Sequence, residues 1–159
     1  MSETGGSIEV QRILDQMDRA FSGDGWHGPP LLGLLEGVSA DDASKHPVKN
    51  VHSIWELVHH IGAWNSIVHR RLQGEVVEVT PEQNWPPVWE ASEVEWKRAL
   101  DNLKESRKRL RASVVTLQDS QLEEPVDKSG TSVYAVLHGI VQHDLYHAGQ
   151  IAILKKALT

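Results

Sequence analysis

Two histidines four residues apart lie near the end of the chain, in the run His143-Asp144-Leu145-Tyr146-His147, inside an apolar segment with helical periodicity. Four residues is just over one helical turn, so both imidazoles project from one face toward a common point. Neutral imidazole is a ready ligand for divalent transition metals. A third histidine from another helix would make a three-nitrogen metal site with one position open to water or substrate. With nine histidines in 159 residues a chance pair at this spacing is ordinary, so the reading turns on that third ligand.

The stripe that carries the pair is Val136, Ile140, His143, His147, Ile151 and Leu154, a face expected to meet a core. Two buried imidazoles without polar partners are costly, and a shared cation satisfies both. Upstream, His59 and His60 are the candidates for the third position. Ile54, Leu57, Val58, Ile61 and Trp64 form one apolar arc; His60 falls inside it, while His59 aligns with Trp55 and Gly62 on the flank. Gly149, two residues after His147, costs a helix about 1 kcal/mol relative to Ala and so predicts close approach of a neighbour.

The same run looks like the zinc-protease pattern His-Glu-x-x-His with Asp144 in place of Glu. That mechanism needs a third ligand downstream, and residues 148–159 contain no His, Asp or Glu. The protease reading fails on that requirement, and an upstream ligand, His60 before His59, is favoured. Glu56, one turn before His60, reads as a cap partner rather than a proton shuttle. His138, one position off the stripe, is expected to form hydrogen bonds, and His52 to lie just outside a helix start. His46 and His69 are expected at the surface. His27, in the break Trp26-His27-Gly28-Pro29, could reach the mouth of a helical bundle. Six tryptophans default to core or loop anchors, with Trp85 and Trp89 beside Pro86-Pro87 lining a pocket or a dimer contact.

The elements that must position these residues are helices. Residues 1–6 read as a loose tail, and Ile8, Ile13, Leu14, Met17, Ala20 and Phe21 approximate a first stripe ending near Gly23. Pro29-Pro30 introduces a short apolar segment over residues 31–35, either a continuation of the first helix or a separate one. Ser39 starts a further helical turn. Ser53 and Glu56 form a capping box that opens a helix to about Leu72. Residues 74–88 are a connection long enough to expect a functional loop or lid. A third long helix is expected over residues 89–117, with Trp96, Leu103, Leu110 and Leu117 at sevens. Thr131 or Ser132 caps a last helix that runs to about Leu158. The fold class is all-α: a single domain over residues 1–159, a four-helix bundle with a short additional helix in the first connection.

Composition narrows the chemistry. The chain has no cysteine, which removes a thiol nucleophile, an iron–sulfur cluster, a thiolate zinc site and any disulfide. A metal site must come from His, Asp and Glu. The net charge is −6, and the one basic cluster, Arg107-Lys108-Arg109 with Lys104 and Arg111, reads as a solvated helix face rather than a nucleic-acid patch. No targeting segment is visible and no apolar run reaches the roughly 18 residues of a membrane span, so no membrane association and a cytoplasmic location are expected.

The segments Ser53-Ile-Trp-Glu-Leu-Val-His-His60-Ile-Gly-Ala-Trp64 and Leu137-His-Gly-Ile-Val-Gln-His143-Asp-Leu-Tyr-His147-Ala-Gly-Gln-Ile151 together resemble the DinB-like (YfiT-like) family of bacterial four-helix-bundle proteins. The resemblance covers about residues 8–158. It implies a metal triad of one histidine from the second long helix and two from the last, which map onto His60, His143 and His147. It also implies thiol-dependent transfer or isomerisation with a low-molecular-weight thiol. The leading expectation is an enzyme with one divalent ion, Zn2+ or Ni2+, acting on a small-molecule substrate. The alternatives are a non-catalytic metal-binding or homodimerising scaffold, a metal-dependent hydrolase, and a metal-free bundle with mutually hydrogen-bonded core histidines.

Overall fold

Four segments are long enough to bury a helical stripe, and they set the architecture. The computed structural model describes residues 7–159; the tail expected at residues 1–6 lies outside them. The long helices are α1 (Ile8–Phe21), α4 (Ile54–Leu72), α6 (Glu93–Val115) and α7 (Val133–Ala157). Three short helices fill the connections: α2 (Leu31–Leu35), α3 (Ala40–Ser44) and α5 (Pro81–Asn84). Among the described residues there is no strand, and the chain is all-helical. No helix among them is long and apolar enough to cross a membrane. Helix α4 packs against α6 and α7, and α1 packs against the same two from the other side.

Local chemistry explains the boundaries. Ser53 Oγ accepts the Glu56 N–H at 3.2 Å while Glu56 Oε2 accepts the Ser53 N–H at 2.7 Å, the expected capping box. Helix α6 starts at Glu93, four residues later than expected, because Ser92 Oγ takes the Glu95 N–H. Ser132 caps α7 in the same way. The first connection holds two short helices: α2 is separate from α1, and Ser39 caps α3. In the long connection α5 forms behind Pro81, where Thr80 and Gln83 make a second capping box.

The apolar core has two parts. One gathers Trp55, Ile61, Trp96, Leu103, Ile151 and Leu154 with Leu31 and Leu35 of α2. The other gathers Val10, Ile13, Met17, Val68, Leu110, Leu137 and Ile140. Between them three of the long helices contribute polar residues: Asn65 on α4 lies between Ile61 and Val68, Ser106 and Arg107 on α6 between Leu103 and Leu110, and Asp144 and His147 on α7 between Ile140 and Ile151. A buried polar layer therefore divides the core at mid-height.

Arg107 is the residue that least fits the sequence reading. Its neighbours Lys104, Lys108, Arg109 and Arg111 are exposed as expected, but Arg107 is 4% exposed and its Nη2 pairs with Asp144 Oδ2, which is wholly buried. The guanidinium also lies over the Phe21 ring at 4.7 Å, so it joins α6 to α7 and α1. Position within the heptad decides this: Arg107 stands between two core leucines, and only a buried carboxylate on α7 makes that tolerable. Gly149 also differs from expectation, because a Cβ there would meet nothing within 4 Å of its own chain.

Removing one half of a buried pair leaves the other charge uncompensated, at a cost of about 3–5 kcal/mol. Arg107→Met and Asp144→Leu should each lower the unfolding free energy by that order in urea titrations, while the double variant recovers most of the loss. Additive losses in the double variant would show that the two charges do not depend on each other.

Candidate metal centre

The polar layer opens, on the α4–α7 side, into a group of three imidazoles. His60 arrives from α4 and His143 and His147 from successive turns of α7, and one ring nitrogen of each lies within 4.8 Å of the other two. His143 Nε2 is 2.9 Å from His60 Nε2 and 3.2 Å from His147 Nε2. These are the three residues expected from the sequence. His59 is elsewhere: its Nε2 accepts the Trp55 indole N–H at 3.0 Å and its Nδ1 donates to the Pro86 carbonyl at 3.2 Å.

Hydrogen bonds on the far side of two rings determine what the near side offers. His60 Nδ1 lies 2.6 Å from the Asn84 backbone carbonyl, and His147 Nδ1 lies 2.6 Å from Gln150 Oε1. Both oxygens can only accept, so both Nδ1 atoms carry the proton and both Nε2 atoms present lone pairs inward. His143 Nε2 faces two acceptors and can donate its single proton to one of them. A cation between the three nitrogens satisfies all of them at once, and a donor set of three neutral imidazoles suits a borderline transition metal. The group could therefore hold a metal ion. His143 Nδ1 is shielded from solvent without a partner, the one outer hydrogen bond that the group lacks.

Electrostatics favour the ligating form. Burial lowers the pKa of His60 and of His147 below the ordinary value. Burial, reinforced by the other two rings, lowers His143 to about 3. All three rings are neutral at neutral pH. Asp144 does not join the group. Burial pushes its carboxyl up to about 6 against the pull of Arg107, so at neutral pH it is an ionised partner of that guanidinium.

Aromatic rings enclose the imidazoles. Trp85 lies flat against His60, with centroids 3.8 Å apart and planes 9° from parallel. His52 lies against Trp85 at 3.6 Å and 12°. Two rings so close to one centroid cannot share a face, so the indole is sandwiched between them. Asn84 supports this arrangement twice, since its side-chain oxygen also accepts the Trp64 indole N–H at 2.9 Å. Tyr146 stands edge-on to His147 at 5.1 Å. The long connection thus covers the group, in keeping with its length.

The remaining histidines and tryptophans separate from the group. His46 is exposed with Nε2 2.9 Å from Glu56, the cap residue, and His52 lies beyond the Ser53 cap as expected. His69, expected at the surface, is half-buried with Nδ1 2.7 Å from Ser113 Oγ. His138, expected to hydrogen-bond, leaves its Nε2 shielded and unpartnered beside the Tyr134 ring. His27 is exposed in a surface cavity with Trp26 and stands apart from the three-histidine group. Trp55 and Trp96 are core; Trp26 and Trp89 are exposed, and Trp89 borders a surface cavity of about 230 Å³ with His59 and Arg98. Gln150, Asn84 and the Arg107–Asp144 pair were missed by sequence reading. Gln150 carried a usable signal, its i+3 spacing from His147; Asn84 acts on His60 through its backbone and carried none.

An all-helical chain with a three-imidazole group where two long helices meet defines a class of helical protein able to hold one metal ion. The family model of the DinB superfamily matches residues 29–151, well over half of the chain, and the chain belongs to that superfamily. Helix α1 lies outside the matched residues. No curated protein and no solved structure shows a significant match.

The depressed histidines give a pH dependence whose sign follows from linkage. The unfolded chain takes up protons near the ordinary 6.5 while the folded rings stay neutral, so their contribution is complete above that value and is lost as the pH falls toward about 3, the folded value of His143. The melting temperature of metal-free protein, followed by circular dichroism, should fall steadily between about pH 7 and pH 4. In His143→Leu the slope should be shallower; an unchanged slope would place His143 in a solvated environment.

Proposed function

We propose that the protein is a metal-dependent enzyme in which His60, His143 and His147 hold one divalent ion, Zn2+ or Ni2+, and that it transfers the sulfur of a low-molecular-weight thiol to an electrophilic small molecule. The observation that carries this reading is the convergence of three neutral ring nitrogens within 4.8 Å, two of them with the tautomer set by outer hydrogen bonds. When bound, the ion supplies a Lewis acid that lowers the pKa of a coordinated thiol or water toward neutrality. The pattern of contacts among α1, α4, α6 and α7 fits a four-helix bundle, which builds such sites from facing helices. We assign the protein to the cytoplasm, where small thiols are kept reduced.

The chain's own residues favour sulfur transfer over hydrolysis. A hydrolase profits from a carboxylate beside the ion that takes a proton from water and returns it to the leaving group. Asp144 is committed to Arg107, and Glu56 to the Ser53 cap. A thiol needs no such group: it loses its proton to solvent, its sulfur bonds to the electrophilic carbon, and the leaving group departs with the bonding pair. The Asn84 carbonyl and Gln150 keep the rings oriented, while Trp85 shields His60 from bulk water.

Calorimetric titration of metal-free protein with Zn2+ tests the assignment. His60→Ala, His143→Ala and His147→Ala should each weaken binding by more than about 100-fold, and Gln150→Ala by about 10–100-fold, the range of outer-shell losses. His59→Ala should bind as the parent does. Full affinity in any of the three alanine variants removes that residue from the site. Metal-loaded protein that turns over no thiol–electrophile pair would leave a non-catalytic metal-binding scaffold.

A further inference from the structure

Trp85 is held differently from the other tryptophans that reach into the fold. The indole N–H groups of Trp55, Trp64 and Trp96 each donate to a fixed acceptor: His59 Nε2, Asn84 Oδ1 and the Val38 carbonyl. Among the described residues none accepts the Trp85 indole N–H, and the side chain is only half-buried. Stacking on both faces fixes it instead, with His60 inside at 3.8 Å and His52 outside at 3.6 Å. The inner ring belongs to the three-histidine group and the outer ring does not.

The segment that carries Trp85 needs such a hold. Helix α5 buries none of its own residues, so no apolar stripe seats it. Its end is tied to α4 by the Asn84 carbonyl at His60 Nδ1 and by the Asn84 side chain at Trp64. Asn84 and Trp85 are consecutive, so the oxygen that takes the His60 proton and the ring that covers the His60 face move together. An indole left loose on its outer side loosens both.

His52 can supply the outer restraint because it is itself anchored. Its Nδ1 lies 3.4 Å from Glu56 Oε2, the oxygen that also accepts the Ser53 N–H at 2.7 Å and meets His46 Nε2 at 2.9 Å. Against burial, which would raise it, these three groups hold the Glu56 carboxyl below its ordinary value, so the anchor is ionised at neutral pH. The carboxylate that closes the first turn of α4 thus also steadies the ring that presses on Trp85.

We infer that His52 is a positioning residue of the metal centre: from outside the ligand set it keeps the Trp85 indole seated on His60 and, with it, the Asn84 carbonyl on His60 Nδ1. Glu56 acts through His52 in the same chain of contacts. The inference rests on the functional reading in one respect, that His60 is a ligand. The seating of Trp85 is a property of the metal-free protein and is measured without the ion.

An indole stacked on an imidazole moves the carbon-bound protons of that ring upfield, so 1H–13C spectra of the metal-free full chain report the sandwich. The shift that the His60 protons lose in Trp85→Leu marks the contribution of the indole. His52→Ala should lose most of that amount, His52→Phe, which restores a ring, should keep most of it, and His46→Ala should match the parent. Competition with a chelator should show Zn2+ affinity about tenfold lower in His52→Ala, the low end of outer-group losses, and close to the parent value in His52→Phe. Helical circular dichroism should be unchanged throughout, since His52 is an exposed side chain. His60 protons that stay in place in His52→Ala, or move equally in His52→Phe, would overturn the inference, as would a displaced indole with unchanged Zn2+ affinity. A parent protein that binds no Zn2+ overturns the metal reading, and the proton shifts then decide alone whether His52 seats Trp85.

Discussion

Three imidazole nitrogens directed at one point are the constraint around which this protein is organised. Neutral imidazoles do not gather nitrogen to nitrogen without cause, since each carries one proton and one acceptor site. Here the Asn84 carbonyl and Gln150 claim the protons of His60 and His147, and both acceptors are turned inward. Everything nearby serves to hold that arrangement: α4 and α7 set the spacing, burial keeps the rings uncharged, and the indole of Trp85 fixes the plane of His60.

The cost of such a centre falls on the core. A helical core of this size could be apolar throughout, yet Asn65, Ser106, Arg107, Asp144 and His147 divide it into two clusters. The Arg107–Asp144 pair is the largest concession, two desolvated charges within the polar layer. Its neighbour in sequence, His143, feels Arg107 as one of the charges that keep it unprotonated. The layer that interrupts hydrophobic packing therefore also adds, after burial and the neighbouring rings, to what keeps His143 neutral.

Much of this was legible in the sequence because periodicity is a strong signal in long helices. The i,i+4 pair on α7, the arc that chose His60 over His59, the Ser53–Glu56 cap and the number of long helices all follow from spacing. Where the reading failed, a tertiary partner decided. Arg107 looked solvated because its row is basic, and only the placement of Asp144 across the interface reverses that. Gly149 was read as a close approach of a neighbour, and nothing in the chain lies within 4 Å of a Cβ built there. His69 looked exposed because its partner, Ser113, comes from a helix 44 residues away. The start of α6 was misplaced because Trp89 resembles the first residue of a stripe that Ser92 begins.

One of the two acceptors that orient the rings belongs to the main chain. Any residue at position 84 presents the same peptide oxygen, so the orientation of His60 tolerates a change of amino acid there, at the expense only of the Trp64 indole contact. What it cannot tolerate is a change in the number of residues between Gly74 and Asn84, which would carry that oxygen out of reach. Loop length, rather than the side chain at position 84, is therefore what the orientation of His60 depends on.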